Sequence, residues 1–258
     1  MNKKIYFAAD FHLGIKTADQ SALEREKTVC SWLDMAVKDA EEIFLLGDLF
    51  DFWFEYKRVI PRGHSRFLGK LAEIADLGIP IHIFTGNHDL WMFGYFQEEM
   101  GIPVYHSPII REWNGKKFML GHGDGLGPGD YGYKRLKKLF TNPLAQWLFA
   151  GLHPNLGIKL ANYWSAKSRK KSVREEFLGP EKEWLIQYSE DQLKQNEDID
   201  YFIFGHRHLP IVHRLSNKKS TYINVGDWLN HFTYAVFDGE KAKLEAFKKN
   251  SGVIIESD

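Results

Sequence analysis

Five clusters of polar residues each follow directly on a short apolar run of the sequence. The clusters are Asp10-Phe11-His12, Gly47-Asp48-Leu49-Phe50-Asp51, Gly86-Asn87-His88-Asp89, Gly121-His122-Gly123-Asp124 and Gly205-His206-Arg207-His208. Loops that follow the carboxyl ends of strands in an α/β sheet converge on one crevice. We therefore expect residues that are far apart in this sequence to meet in a single polar site.

The apolar runs are rich in β-branched and aromatic residues, and stretches with helical periodicity lie between them, which predicts an α/β (α+β) layered fold. Predicted strands are Ile5 to Ala9, Glu42 to Leu46, Ile79 to Thr85, Lys117 to Gly121 and Tyr201 to Gly205, and predicted helices are Ser21 to Asp39, Ser65 to Leu77 and Pro180 to Gln195. Asn114-Gly115 indicates a hairpin. A second, mostly antiparallel sheet is predicted from Ile211 to Leu215, Ser220 to Val225, Thr233 to Phe237 and Lys243 to Phe247.

Chain length and composition predict one domain in a reducing compartment. With 258 residues, 44% of them hydrophobic, the chain can bury one large core, so we treat residues 1–258 as a single domain. The single cysteine, Cys30, cannot form an internal disulfide. Neither a signal peptide nor an apolar run of about 18 residues is evident. We expect a cytoplasmic protein whose membrane contact is peripheral.

The segment from Tyr131 to Arg174 differs from the rest of the chain. It has ten basic residues and no acidic ones, and it is also dense in Leu, Phe and Trp. This composition favours helices that are apolar and cationic together. We predict an inserted helical cap at residues 125–178 and a loosely held tail at residues 250–258.

Carboxylate, amide and imidazole side chains together are typical ligands of borderline divalent metals. They suit Mn²⁺ and also Fe, Zn or Co, whereas Mg²⁺ and Ca²⁺ prefer oxygen alone. Asp48 can bridge two ions about 3.5–4 Å apart, which is the spacing of two-metal hydrolases. A single histidine after a strand is more often structural, but five such clusters favour a metal centre.

The order of these motifs, D-x-H, G-D-x-x-D, G-N-H-D, G-H-x-D and G-H-x-H, resembles the calcineurin-like metallophosphoesterase superfamily over residues 10–208. The resemblance implies a four-layer β-sandwich flanked by helices and two divalent metal ions. It places Asp10, His12 and His208 on the first metal, Asn87, His122 and His206 on the second, and Asp48 between them. It implies that His88 faces the scissile phosphate and that Asp89 lies behind it and orients the imidazole. Asp51 and Asp124 either support these ligands or form turns.

Within the superfamily, Gly47 to Trp53, His122 to Leu126 and the basic insertion resemble the UDP-2,3-diacylglucosamine pyrophosphohydrolase family, which forms lipid X and UMP in lipid A synthesis. The resemblance implies a lipid-linked nucleotide substrate and peripheral contact with the inner leaflet of the cytoplasmic membrane. No obligate protein partner is evident. It implies Asp48, His88 and Asp89 as catalytic residues, and substrate contacts from Asn87, Asp130, Tyr133 and His206, with Lys134, Arg169 and Arg174 as candidate phosphate contacts. A solvated basic helix is an equal alternative for these last three residues.

The sequence departs from that family at several positions. His88 stands where its members commonly have arginine, and Ser168, Ser172 and Glu175 do not match its cap pattern cleanly. A related phosphodiesterase or pyrophosphatase that acts on another lipid-linked or nucleotide substrate is therefore the main alternative. The basic surplus also suggests a nuclease, but the density of Leu, Phe and Trp disfavours nucleic acid. A binding module without catalysis is disfavoured by the intact motifs.

Overall fold

The computed structural model describes residues 3–18, 20–129, 131–161, 176–248 and 254–257. Within these residues, two six-stranded sheets form the centre of the fold. The first sheet has the order β11 (Ala242–Ala246), β10 (Thr233–Phe237), β1 (Lys4–Ala8), β2 (Ala40–Leu45), β3 (Ile81–Phe84) and β4 (Val104–Tyr105). The second has the order β12 (Ile255–Ser257), β8 (Pro210–Arg214), β9 (Thr221–Val225), β7 (Tyr201–Phe204), β6 (Lys116–Gly121) and β5 (Ile109–Trp113).

The two sheets pack face to face through alternate residues of their strands. Ile5 and Phe7 of β1 and Phe44 of β2 lie in one buried cluster with Phe118 of β6 and Ile203 of β7. Each such apolar side chain stabilises the fold by about 1.5–3 kcal/mol when it is fully buried. Because both faces of these strands are buried, their sequences are apolar runs rather than alternating patterns.

Helices lie on the outer faces of both sheets and in the predicted cap. Their bounds are α1 (Ala22–Ala36), α2 (Ser65–Asp76), α3 (Tyr95–Met100), α4 (Tyr131–Phe140), α5 (Pro143–Ala150), the described part of α6 (residues 154–161) and α7 (Trp184–Leu193), with a 3₁₀ turn at Pro180–Lys182. Trp32 of α1 and Phe67 of α2 pack on Tyr6 and Ile43 of the first sheet, and α7 packs on the second sheet. Two sheets between two helical layers confirm the expected four-layer fold.

The second sheet is not mostly antiparallel, so that prediction was wrong. Three of its strand pairs are parallel and two are antiparallel. The C-terminal strands divide between the sheets, because β10 and β11 extend the first sheet beside β1. Every residue of β10 is buried, and a strand of this kind has the same apolar sequence in either sheet, so periodicity could not assign it.

Residues 254–257, the described part of the predicted tail, differ from the prediction of a loose segment. Residues 255–257 form β12, which pairs in parallel with β8. The ring of His213 contacts Ser257 through Nδ1, at 3.1 Å from its backbone oxygen and 2.9 Å from its hydroxyl. These bonds hold the described end of the chain on the second sheet.

Helices α4 and α5 lie within the predicted cap, where α4 carries basic and apolar residues, α5 is mainly apolar, and neither has an acidic residue. Neither helix has a fully buried residue, so both lie on the surface of the molecule. None of the described helices is long and apolar enough to cross a membrane. Asp130, Arg169 and Arg174, like Ser168, Ser172 and Glu175, lie outside the described residues.

Candidate dinuclear metal centre

The five polar clusters follow the carboxyl ends of β1, β2, β3, β6 and β7 and meet at one edge of the sandwich. Two sheets contribute to this site, with β1 to β3 in the first and β6 and β7 in the second. The expected convergence therefore occurs between two sheets rather than along one. Their packing brings residues that are nearly 200 positions apart into contact.

One group of potential ligands consists of Asp10, His12, Asp48 and His208, whose ligand atoms all lie within 4.8 Å of one another. Oδ1 of Asp10 lies 3.4 Å from Nε2 of His208 and 3.8 Å from Nε2 of His12. The carboxylates of Asp10 and Asp48 and the ring of His12 are almost completely buried. This group matches the residues that were expected to hold the first metal.

A second group consists of Asp48, His122 and His206, again with ligand atoms within 4.8 Å. Nε2 of His122 lies 3.5 Å from Oδ2 of Asp48 and 3.3 Å from Oδ1 of Asn87. The same Oδ2 of Asp48 is 3.7 Å from Nε2 of His12 in the first group. One oxygen of Asp48 therefore lies beside both groups, which suits a carboxylate that bridges two cations.

Three of the polar atoms of these ligands form hydrogen bonds that orient the side chains. Oδ2 of Asp10 accepts the backbone N–H of His206 at 2.8 Å, and Oδ1 of Asp48 accepts that of His88 at 2.8 Å. Nδ1 of His122 lies 2.7 Å from the carbonyl oxygen of Leu46 and donates to it, so Nε2 presents its lone pair to the centre.

Oδ1 of Asp10 is buried and has no hydrogen-bond partner among the described residues. A buried carboxylate oxygen without a donor is costly unless a cation satisfies it. The donor set around it combines carboxylate, imidazole and amide groups, which fits borderline divalent metals. On these grounds the residues present fit two divalent cations.

The backbone at the ligand positions is unusual. Asp10, His12, Asp48, His206 and His208 have φ of 56°, 42°, 50°, 70° and 56°, which is the left-handed region that side chains other than glycine rarely adopt. Such conformations cost about 1–3 kcal/mol each and cluster at functional sites. The buried surroundings of the centre hold these residues in place.

The second and third motifs have glycine at positions 47 and 86 because a larger residue would not fit there. A Cβ atom on Gly86 would lie 2.2 Å from Oδ1 of Asp48, and one on Gly47 would lie 2.7 Å from Nδ1 of His122. Any larger residue would displace a ligand, because the obstructing atoms belong to the centre itself. These two glycines let the loops approach the ligands closely.

Carboxylate charge outweighs burial at two of the four imidazoles of the centre, whereas burial lowers the pKa of His12 and lowers that of His206 to about 4. Burial opposes a charged imidazole, but the neighbouring Asp48 carboxylate outweighs it and raises the pKa of His122 to about 10. Burial likewise opposes charge on His208, whereas Asp10 and Asp227 raise its pKa to about 9. This excess of negative charge favours divalent cations, whose binding requires neutral imidazoles.

Asp89 does not lie behind His88, which contradicts the role that was expected for it. Its buried carboxylate accepts the backbone N–H groups of Gly86 and Leu49, each at 2.7 Å, with two longer contacts to the N–H groups of Asp48 and Phe50. Asp89 therefore joins the third motif to the second. The reason is geometric, since the loop after β2 turns its N–H groups toward this carboxylate.

Asp51 provides the contacts to His88 that were expected from Asp89. Nδ1 of His88 lies 3.0 Å from the backbone oxygen of Asp51 and 3.6 Å from its Oδ1. The same Oδ1 is 3.9 Å from Nδ1 of His12. Of the two roles considered for Asp51, its position beside two imidazoles favours support of the site.

Two contacts of residues in the fifth cluster were not predicted from the sequence. Oδ2 of Asp227 lies 3.4 Å from Nδ1 of His208. Asp227 follows Gly226 directly after β9, so the rule that found the five clusters would also have found it. Arg207 pairs with the buried carboxylate of Glu183 at 2.6 Å and lies 4.4 Å from the ring centre of Trp184. No pattern in the sequence predicts that Arg207 pairs with Glu183.

A mainly apolar cavity of about 460 Å³ lies beside the centre. Its floor comes from the second and third motifs, and its wall comes from α4 and α6. The lining residues are Asp51, Phe52, Asn87, His88, Leu90, Trp91, Tyr133, Leu136, Leu139, Phe140 and Ala161. Nε1 of Trp91 donates to the backbone oxygen of Phe140 at 2.7 Å and so fixes the end of α4 on the third motif.

Tyr133 lines this cavity, and its hydroxyl donates to Oδ2 of Asp124 at 2.5 Å. Lys134 donates to the backbone oxygen of Gly127 and lies 5.7 Å from the ring centre of Tyr131. Tyr133 is therefore placed where a ligand could reach it. A phosphate contact from Lys134 stays a prediction.

The chain is similar to several known proteins. The family model described as calcineurin-like phosphoesterase matches residues 3–210. The UDP-2,3-diacylglucosamine hydrolase of Porphyromonas gingivalis is 40% identical, with 96% of this chain and 99% of that protein covered. The enzyme of the same name from Ectopseudomonas mendocina is 28% identical, with 92% and 95% covered. Among solved structures, Yfce, a phosphoesterase from E. coli, matches with a TM-score of 0.49 and 16% identity, covering 96% of this chain and 95% of that chain.

Proposed function

The chain belongs to the calcineurin-like phosphoesterase family, and from this we propose that it hydrolyses the pyrophosphate of UDP-2,3-diacylglucosamine to lipid X and UMP. Two relatives that carry the name of this hydrolase match along nearly their whole length. The activity is then that of a metal-dependent pyrophosphohydrolase in lipid A synthesis.

The observation that carries this proposal is the contact between the ligand groups and the apolar cavity. Asn87 and His88 line the cavity, while Asn87 also faces His122 in the second ligand group. A substrate with acyl chains close to its scissile phosphate needs apolar and charged surroundings side by side. The cavity volume lies within the usual range of about 300–1,000 Å³ for ligand pockets.

The two cations would be held by the residues of the two ligand groups. Asp10, His12 and His208 would bind one cation, Asn87, His122 and His206 the other, and Asp48 both. When bound, the cations supply Lewis acidity that neutralises charge on the phosphoryl oxygens. We propose Mn²⁺ for both positions, and the same donors also suit Fe, Zn and Co.

His88 would act on the scissile phosphate from the cavity side. Its Nδ1 donates to the backbone oxygen of Asp51, which fixes the ring and directs Nε2 away from that loop. Nε2 would donate a hydrogen bond to the phosphate or a proton to the departing oxygen. The substrate's nucleotide end would contact Tyr133, with Asn87 and His206 beside the phosphates.

The surface of α5 supports peripheral contact with the inner leaflet of the cytoplasmic membrane. Leu144, Trp147 and Leu148 of this helix are 64%, 70% and 59% exposed. Basic residues of the adjacent α4 lie near them in the chain, and each lysine or arginine at an anionic surface contributes about 1 kcal/mol. An apolar helix beside basic residues suits a lipid surface better than open water.

The proposed function is tested with purified protein and Mn²⁺, using radiolabelled UDP-2,3-diacylglucosamine in detergent and separation of the products by thin-layer chromatography. We expect lipid X and UMP from the wild type and from Asp34→Ala, an exposed control on α1. Asp48→Ala should lose this turnover. Hydrolysis of an aryl phosphodiester without turnover of the lipid nucleotide would reject this substrate and keep the phosphoesterase chemistry.

A further inference from the structure

The carboxylate of Asp124 joins the metal centre to the cap. Asp124 is 5% exposed and lies two residues after the ligand His122. Its Oδ2 accepts the hydroxyl of Tyr133 at 2.5 Å and Nζ of Lys137 at 2.6 Å. Both partners belong to α4 and lie one turn apart, so a single buried oxygen binds two side chains of this helix.

Further bonds along the same segment reinforce this attachment. Nζ of Lys137 also lies 3.3 Å from the backbone oxygen of Asp124, and Lys134 donates to the backbone oxygen of Gly127. Three polar side chains of α4 therefore bond to residues 124–127. This segment continues directly from the strand and loop that carry His122.

Apolar side chains of α4, together with Tyr133, form the wall of the cavity. Leu136, Leu139 and Phe140 line it, three and four residues apart as on one side of a helix. The position of this wall relative to the cations depends on how α4 is attached to the ligand-bearing segment. The contact between Asp124 and Lys137 is an ion pair. The side chain of Lys137 is partly exposed, whereas the carboxylate of Asp124 is buried.

We propose that the Asp124–Lys137 pair is a positioning device that sets the apolar wall of α4 relative to the metal centre, and so determines selectivity for substrates with long alkyl or acyl chains. The pair acts through α4 and does not need to touch the substrate. This inference rests on the proposed function for the identity of the natural substrate, but chain-length selectivity can be measured without that substrate.

Of two substitutions of Lys137, one removes the ion pair with Asp124 and the other keeps it. Lys137→Met leaves the buried Asp124 carboxylate without its cation, and an unpaired buried charge drives local rearrangement. Lys137→Arg keeps the charge and its hydrogen bonds. Lys138→Met is the matched control, because Lys138 is an exposed neighbour on the same helix.

The test compares kcat/KM for octyl 4-nitrophenyl phosphate with that for methyl 4-nitrophenyl phosphate on the Mn²⁺-loaded protein. We expect the wild type to prefer the octyl ester, and Lys137→Met to lower this preference by about tenfold or more through the octyl ester alone. Lys137→Arg should restore most of the preference, and Lys138→Met should match the wild type.

A merely structural role would lower both rates together or leave both unchanged in Lys137→Met, and either result would overturn the inference. A wild type without chain-length preference would overturn it too. Failure of the proposed function is distinguishable, since it would appear as no turnover of UDP-2,3-diacylglucosamine while the octyl preference and its dependence on Lys137 persist. Should neither ester be cleaved, calorimetric binding of octyl and methyl phosphate provides the same comparison.

Discussion

The Nε2 atoms of His12 and His208 lie 3.2 Å apart, although the two residues are 196 positions apart in the chain. Their rings are inclined by 30° with centres 4.9 Å apart, and the two nitrogens lie 3.8 Å and 3.4 Å from Oδ1 of Asp10. Two imidazole nitrogens and a carboxylate oxygen this close together form a candidate ligand set for a cation. This relationship joins the first motif of the chain to the last.

Asp227 should raise the affinity of these candidate ligands for metal. Asp227→Asn weakens the partner of His208 Nδ1 but keeps an oxygen for the backbone N–H groups of Asn230 and His231. Loss of such outer partners typically costs 10–100-fold in metal affinity, and we expect a shift of about that size. Titration of phosphodiesterase activity with Mn²⁺ measures it, and saturating Mn²⁺ should recover most of kcat. An unchanged Mn²⁺ dependence, equal to that of the partly exposed control Asp238→Asn, would contradict this role.

Asp89 should contribute mainly to stability. Asp89→Ala removes the acceptor of two short backbone hydrogen bonds in a fully buried position. Each buried donor left without a partner costs about 1–3 kcal/mol, so we expect a loss of about 3 kcal/mol or more in the free energy of unfolding. Urea unfolding of metal-free protein measures it. Asp191→Ala, at an exposed site on α7, should change stability by less than about 0.5 kcal/mol. A loss as small as the control's would show that other groups satisfy these N–H donors.

The exposed face of α5 should mediate membrane binding. Replacement of Leu144, Trp147 and Leu148 by serine removes three apolar side chains, each worth up to about 1.5–3 kcal/mol when buried in lipid. We expect binding to vesicles rich in phosphatidylglycerol to fall by about tenfold or more, as measured by sedimentation. Leu77→Ser is the control, because Leu77 is 61% exposed at the end of α2. Equal binding of the two variants would locate the membrane contact elsewhere.

Cys30 should be unreactive in the folded protein. Burial raises the pKa of its thiol from 9.0 to about 11, so the thiolate is scarce at pH 8. We expect alkylation at pH 8 to be about a hundredfold slower in the native chain than in urea, because the thiolate is the nucleophile. The unfolded chain loses this proton first, so the contribution to stability is complete below pH 9.0 and is lost as the pH rises toward 11. Equal alkylation rates in native and unfolded protein would contradict the shift.

Much of the site could be predicted because its residues obey a local rule. Asp10, Asp48 and His122 each follow an apolar run, and a strand that ends at the edge of a sheet places the next residue there. Asp227 obeys the same rule after Val225 and Gly226. It was missed because the run from Ser220 to Val225 was assigned to a separate antiparallel sheet.

Other features depend on contacts that no local pattern contains. The role of Asp89 is set by the backbone direction of residues 48–50, which belong to a different strand and loop. The pairing of Lys137 with Asp124 could not be singled out among ten basic residues of similar surroundings. Membership of β10 and β11 in the first sheet was likewise decided by tertiary packing, because their sequences fit either sheet.

The most direct test of the dinuclear centre is an anomalous difference map from crystals grown with Mn²⁺. We predict two peaks about 3.5–4 Å apart on either side of Oδ2 of Asp48, the first beside Asp10, His12 and His208 and the second beside Asn87, His122 and His206. A single peak, or two peaks that do not share Asp48, in protein that hydrolyses phosphodiesters would contradict the account.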